Sequence, residues 1–271
     1  MAECADAYPR FAGAVPVLSN REIAAEVFEL AVGRASIDGV SGDRVDALVP
    51  SPVPGQFFML RARPSGVLLG RPISVYAHDD RSISFLILRK GRGTAELADL
   101  RPGDSVDVVG PIGNRFALPS ELDGIPADAR VAVVGGGIGV APVAGFATTL
   151  PAGSFDFYAS FRSRPYGLDA VEGRARRFVI TTEDGSTGTK GMLPAVFDAS
   201  QYDLVYACGP TPMLKYVKDA CASAGCRAYL SLERHMACGA GACLGCTIRT
   251  TDGNRRCCVD GPVFDAREVI L

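Results

Sequence analysis

The chain has 271 residues, of which 48% are hydrophobic and 21% charged, with a formal net charge of −2. That length suits two domains and a minor appendage, and the near-neutral charge leaves no basic footprint for a nucleic-acid partner. No run of about 18 apolar residues is present, so neither a spanning helix nor a membrane partner is expected.

The first ten residues carry Glu3 and Asp6 and no long apolar run, unlike a signal peptide. Nine cysteines without an export signal point to a reducing, cytoplasmic setting and to metal or redox chemistry rather than disulfides. With only His78 and His235 present, imidazole-rich sites are hard to build.

Residues 25–33, 56–63, 72–77, 82–90 and 105–109 are short, β-branched or aromatic runs bounded by Gly, Pro or Asp. With one helix expected at 94–100, they predict a small antiparallel barrel. The texture changes near 122–130. Apolar runs at 131–134, 155–161, 178–182 and 203–208 then alternate with helix-like stretches, including 141–150 and 213–224. Alternating strands and helices predict a parallel α/β sheet of the nucleotide-binding type. After a further apolar stretch, 228–232, the chain enters a Cys- and Gly-rich tail too short for its own core, which needs a metal to hold it. The expected domains are therefore a β-barrel over 10–122, an α/β domain over 128–227 and a small tail domain over 228–271.

The strongest motif is Cys238-x4-Cys243-x2-Cys246, followed after eleven residues by Cys258. This is the plant-type ligand order for a [2Fe–2S] cluster. The intervening Gly239, Ala240, Gly241, Ala242 and Gly245 let the backbone wrap closely and aim N–H groups at sulfur. A structural zinc site is the alternative, but its second half would need adjacent Cys257 and Cys258 on one tetrahedral ion. Spacing alone leaves open which of those two is the fourth ligand. Cys4, Cys221 and Cys226 read as small buried apolar residues.

Gly135-Gly136-Gly137-Ile138-Gly139 lies between a strand and a helix, where amides can receive phosphate oxygens. The fingerprint is imperfect, because Val140 stands where a third glycine is usual. A second turn, Cys208-Gly209-Pro210, ends another strand. Two such turns at the ends of parallel strands are where open α/β sheets bind ligands. Cys208 either faces the nicotinamide or is simply buried. Arg162 and Arg164, not an acidic residue, follow the second strand; an arginine there can pair with a 2′-phosphate or simply be a solvated surface charge, so NADH versus NADPH stays open.

In the barrel, Arg71-Pro72-Ile73-Ser74 puts a cation and a hydroxyl at one strand end, suited to a flavin and its phosphates. Gly91-Arg92-Gly93-Thr94 opens the expected helix, a second place for a pyrophosphate. Each is a common turn when taken alone; their order ahead of a nucleotide domain and a cysteine tail carries the signal.

Together these motifs, with Met236-Ala237 and Asp260-Gly261-Pro262-Val263-Phe264, resemble the ferredoxin-reductase superfamily. Within it the chain is most similar to the electron-transfer subunits of class B dihydroorotate dehydrogenases, over nearly its whole length. The resemblance implies an oxidoreductase subunit with FAD on Arg71 to Ser74, on Leu86, Ile87 and Leu88, and on Gly93 and Thr94. It places NAD at Gly135 to Gly139 and Cys208 to Pro210, and it selects Cys258 over Cys257, two positions before Asp-Gly-Pro. It also implies a partner, the FMN-containing subunit that oxidises dihydroorotate in pyrimidine biosynthesis, in an assembly of two copies of each. Arg89 and Lys90 make this chain more basic than that pattern. The rival readings are a flavin–iron–sulfur reductase subunit of another complex and a zinc-stabilised nucleotide sensor, which a visible spectrum would separate from a flavoprotein.

Overall fold

The computed structural model describes residues 11–35 and 48–271. Cys4 lies outside the described residues. Two compact units emerge, each with its own core.

The first unit is built on β1 (Phe11–Ala24), β2 (Val27–Gly33), β3 (Phe57–Arg63), β4 (Arg71–His78), β5 (Ser82–Leu88), α1 (Arg92–Ala98) and β6 (Ser105–Ile112). The six strands close into an antiparallel barrel in the order β1-β2-β5-β4-β3-β6. Inward positions alternate along each strand, and Leu30, Phe58, Phe85, Ile87 and Val106 fill the interior. Closure gives each of the six strands a neighbour on both sides. Asn20 on β1 anchors α1 by donating to the carbonyls of Leu97, Ala98 and Leu100 at 3.0, 3.0 and 2.9 Å. Leu97 and Ala98 close the helix and Leu100 follows it, so the amide gathers carbonyls where the intrahelical donors run out.

β1 is the element that the sequence pattern does not reveal. Its first half pairs with β6 and its second half with β2, so one long strand turns a barrel corner. Pro16 at the changeover and polar Ser19, Asn20, Arg21 and Glu22 mask the alternation.

The second unit contains β7 (Val131–Gly136), α2 (Val140–Ala147), β8 (Phe155–Phe161), α3 (Asp169–Glu172), β9 (Arg177–Thr182), β10 (Thr189–Lys190), β11 (Leu204–Cys208), α4 (Thr211–Ala224) and β12 (Arg227–Ser231). Beyond these come β13 (Thr247–Thr250), β14 (Gly253–Arg256) and β15 (Val263–Asp265). The main sheet runs β10-β9-β8-β7-β11-β12-β15, parallel throughout except for β15, which pairs antiparallel with β12. Every residue of β7 and β11 is buried, as central parallel strands require. The helical layer is thinner than the alternation predicts. Only the four-residue α3 separates β8 from β9, and between β9 and β11 two 3₁₀ turns, Leu193–Ala195 and Ala199–Gln201, replace a helix.

The tail is shared out. Arg234–Thr247 and Arg256–Gly261 group with the barrel, while Ile248–Arg255 and Pro262–Leu271 group with the sheet. Among the described residues no helix is long and apolar enough to cross a membrane.

Candidate functional site

Cys238, Cys243 and Cys246 sit on an irregular loop of the barrel unit, and Cys258 follows β14 in the same unit. The N–H groups of Ala240 and Cys243 both donate to Cys238 Sγ at 3.4 Å, and that of Gly245 donates to Cys243 Sγ at 3.5 Å. Cys246 Sγ lies 3.3 Å from Cys258 Sγ, and the Cys238 and Cys243 thiols are themselves hydrogen-bonded. The four sulfurs thus fall into two pairs.

Burial works against a Cys238 thiolate, yet the Ala240, Cys243 and Ala242 amides and the Cys243 thiol outweigh it and hold its pKa at about 7. Cys258 is pushed up to about 12 by burial and by the Cys246 thiol, although the Gly241 amide points at it. Cys257 is also buried and pushed up to about 12, first by burial and then by the nearby Cys246. Its backbone N–H donates to Cys246 O at 3.1 Å. Among the described residues, no three Cys, His, Asp or Glu side chains converge as a single metal ion requires.

The loop's shape depends on glycine. Gly241 has φ 76°, and a Cβ there would lie 2.6 Å from Val259 Cγ2. Gly239 has φ 66°, and its Cβ would meet Met59 Cγ and Ile112 Cδ1 at 3.0 and 3.1 Å, so the loop lies directly on β3 and β6 side chains. Arg256 braces the turn, donating to Asp260 Oδ2 through its backbone N at 2.7 Å and to Gly241 O through Nη1 at 3.3 Å. The motif spacing did not single out this brace, although Arg256 and Asp260 stand four residues apart.

In the sheet unit, β7 and β11 are neighbours, and the later strands depart to opposite sides of them. They form the switch point of the sheet, where ligands bind at the carboxyl ends of strands. Gly135 is in register with Cys208. A Cβ on Gly139 would lie 2.6 Å from Gly209 N and 2.7 Å from Cys208 C, so the two turns touch backbone to backbone. Met213 covers the join, within 2.5 Å of Cβ positions on both Gly136 and Gly209. Sequence reasoning took Met213 only as a helix start. Gly137 has φ 53°, and the space its Cβ would enter is open. Ile138 is half-buried beside it. Cys208 itself is buried, and burial, with Glu233 adding, drives its pKa well above the ordinary thiol value. Arg162 and Arg164 are exposed beyond β8.

In the barrel, Arg71, Pro72, Ile73 and Ser74 are half-buried along β4, paired in register with Leu60, Met59, Phe58 and Phe57. Arg71 Nη1 donates to the carbonyls of Leu69 and Gly70 at 3.0 and 3.2 Å. Its guanidinium lies on the α-carbon of Gly93, where a Cβ would come within 2.7 Å of Arg71 Cζ. The structure therefore brings the two sequence-derived motifs together. Thr94 Oγ1 accepts from the N–H groups of Lys90 and Gly91 at 2.9 and 3.1 Å, closing the start of α1. Leu86 and Ile87 are buried in β5, and Leu88 is half-buried at its end.

Residues 233–270 match a family described as the iron–sulfur cluster binding domain of dihydroorotate dehydrogenase B. The chain is 44% identical to the dihydroorotate dehydrogenase B (NAD(+)) electron transfer subunit of Clostridium acetobutylicum, over 80% of this chain and 86% of that one. It is 36% identical to the subunit of the same name from Caldanaerobacter subterraneus subsp. tengcongensis, over 94% and 97%. Among solved structures it is similar to an NADH-dependent reduced ferredoxin-NADP oxidoreductase studied for flavin-based electron bifurcation. There the TM-score is 0.75 and identity 26%, over 94% of this chain and 89% of that one. A flavohemoglobin from Malassezia yamatoensis, at 18% identity and TM-score 0.63 over 82% and 59%, shares the fold.

Proposed function

The chain belongs to the electron transfer subunit family of dihydroorotate dehydrogenase B, and we propose from that premise how its residues divide the work of relaying electrons. As a member it is an oxidoreductase subunit with an iron–sulfur binding domain. The finer assignment is ours. Cys238, Cys243, Cys246 and Cys258 hold a [2Fe–2S] cluster. The observation that carries this reading is the grouping of four thiols into two pairs, with amides aimed at Cys238 and Cys243. Two irons call for two thiolates each, whereas a zinc ion gathers four donors at one point.

FAD falls to Arg71, Pro72, Ile73 and Ser74, to Leu86 to Leu88, and to Gly93 and Thr94. The guanidinium resting on Gly93 supports this, since it sets a charge-assisted donor beside the helix start where a pyrophosphate would lie. NAD falls to Gly135 to Gly139 and to Cys208, Gly209 and Pro210, with the open side of Gly137 facing the ligand. Exposed Arg162 and Arg164 are where a 2′-phosphate would be read. Once bound, these groups supply one-electron carriage and its exchange with electron pairs, linking the FMN of a catalytic partner to NAD⁺. The protein's own residues bind and orient: the Cys238 amides favour thiolate, Arg71 neutralises phosphate, and Met213 seals the join between the glycine turns. The partner is the FMN-containing dihydroorotate-oxidising subunit, two copies with two of this chain.

Reconstitution tests this reading. The chain alone should reduce artificial acceptors with NADH and oxidise no dihydroorotate. Adding the FMN subunit should yield dihydroorotate-to-NAD⁺ transfer. Cys243→Ser that retains FAD should keep dye reduction and lose the coupled reaction. Full-rate coupling by a cluster-free, FAD-loaded variant would overturn the relay.

A further inference from the structure

Two cysteines that the relay does not use meet at the far end of α4. The helix ends at Ala224, and Gly225 reverses the chain with φ 72°. The reversal lets the Cys226 N–H donate to Cys221 O at 2.9 Å, the six-to-one closure of a Schellman end. That closure brings the side chains of the two cysteines together, so their thiols interact across the turn, while Cys226 Sγ also donates to Arg227 O at 3.5 Å. A disulfide needs Cα atoms about 4.4–6.8 Å apart, and the six-to-one backbone closure holds these two residues against each other, as the side-chain contact usual in that motif requires.

The two sulfurs are not equivalent. Cys221 is buried on the inner face of α4, whereas Cys226 is half-buried at the surface beside β12. The Cys221 thiol holds the Cys226 thiol below its ordinary value; burial and Asp203 oppose this, and the Arg130 guanidinium adds to it. Arg130 is fixed there by its paired bonds to Asp203, at 3.1 Å from Nε and 2.9 Å from Nη2. Cys226 is thus the more exposed of the two and the one whose thiol is shifted down, and its neighbour is sheltered and in reach. Attack and resolution need that division.

We propose that Cys221 and Cys226 form a redox-active dithiol, a modification site oxidised by peroxides, with Cys226 attacking and Cys221 resolving. In the first step the Cys226 sulfur gives an electron pair to one peroxide oxygen. The O–O bond breaks, and Cys226 sulfenic acid and hydroxide result. In the second, Cys221 sulfur attacks Cys226 sulfur, the S–O bond breaks, and the oxygen departs as water with the Cys221 proton. Two thiols and one hydrogen peroxide become one disulfide and two waters. The inference is independent of the relay assignment, because neither cysteine belongs to a cofactor site.

Trypsin cuts after Lys218 and Arg227, so peptide 219–227 carries both cysteines and neither cluster thiols nor Cys208. The reduced, cofactor-loaded protein would be given limited hydrogen peroxide, then denatured, alkylated and digested. The expected product is a 219–227 peptide lighter by two hydrogens, blocked to alkylation and restored by dithiothreitol. It should form about tenfold or more faster than Cys208 is oxidised. Cys221→Ala should leave a sulfenic acid on Cys226 that a 1,3-dione traps, and Cys226→Ser should leave Cys221 fully alkylatable. Both sulfurs alkylated after peroxide has been consumed, or trapping on Cys221 instead, would overturn the proposal. The wild-type peptide alone decides the first point, whatever the variants' stability.

Discussion

The cysteine loop and the paired glycine turns of the sheet both rely on residues without side chains, but for opposite reasons. In the loop, Gly239 and Gly241 adopt left-handed φ values of 66° and 76°, so the backbone itself takes a shape that other residues resist. In the sheet, Gly139 has an ordinary helical φ of −64° and is small because another backbone lies against it. The loop's conformation serves the thiols it carries; that of the turns follows from β7 and β11 lying side by side. A site held by its ligand should fail when a donor is lost, and a site held by packing should fail when volume is added.

The donor side of this contrast carries the largest expected effect. Cys258→Ser should abolish the cluster, or leave a visibly altered electron paramagnetic resonance signal, because Cys258 Sγ completes a pair with Cys246 at 3.3 Å. Cys257→Ala should keep the cluster, with only the small stability loss of a trimmed buried side chain. Structural metal sites contribute on the order of 10 kcal/mol to the fold of the segments that they hold. Hydrogen exchange over the loop should therefore rise sharply in Cys258→Ser and barely change in Cys257→Ala. An intact spectrum in Cys258→Ser alongside a lost one in Cys257→Ala would reverse the assignment.

Volume is the next lever. Gly139→Ala forces a methyl to 2.6–2.7 Å from the Cys208–Gly209 backbone, which cannot swing away as a side-chain tip can. The sheet unit should lose about 1–3 kcal/mol, and NADH-driven dye reduction should fall with it. Gly137→Ala enters open space and meets only the strain of a left-handed φ, about 1–2 kcal/mol. Thermal unfolding of the two variants would therefore rank Gly139→Ala below Gly137→Ala or equal to it. A Gly139→Ala protein as stable and as active as wild type would mean the turns separate more easily than their packing indicates.

The same contrast explains what could be read from the sequence. The β8 run, 155–161, is mostly apolar, interrupted only by Asp156 and Ser160, and its bounds match the structure because central parallel strands bury both faces. The cysteine spacing is equally legible, since ligand order along the chain is itself the signal. β1 stays hidden because it changes partners at Pro16, and β15 because three residues carry no periodicity. The contact of Gly139 with Cys208–Gly209, the guanidinium on Gly93 and the seat of Met213 are tertiary facts that no local pattern encodes. Adjacent Cys257 and Cys258 differ by one step along the chain, so spacing alone leaves them open, and the contact of Cys258 with Cys246 is a tertiary fact.

Acid should distinguish the two regions more subtly, through a fixed charge in the sheet. Asp156 at the start of β8 is buried, which alone would raise its pKa. Hydrogen bonds from Arg176 at 2.8 and 3.0 Å and from Tyr202 at 2.8 Å outweigh burial and hold its carboxyl below the usual value. Tyr202 is in turn fixed by the Tyr158 hydroxyl at 2.6 Å. A depressed folded pKa means that this stabilisation is complete above the unfolded carboxylate value, near 3.9, and disappears as pH falls through the folded value. Asp156→Asn removes the charge at every pH. It should therefore cost the β8 segment about 1–2 kcal/mol near neutrality, the low end for bonds to a charged group because Arg176 is half exposed. The difference from wild type should shrink steadily below about pH 4. Hydrogen exchange of the β8 peptide in both proteins, at pH 7 and near pH 3, reads this out without interference from any loss of the cluster in acid. A gap that stays constant across that range would show that the aspartate contributes by shape rather than by charge.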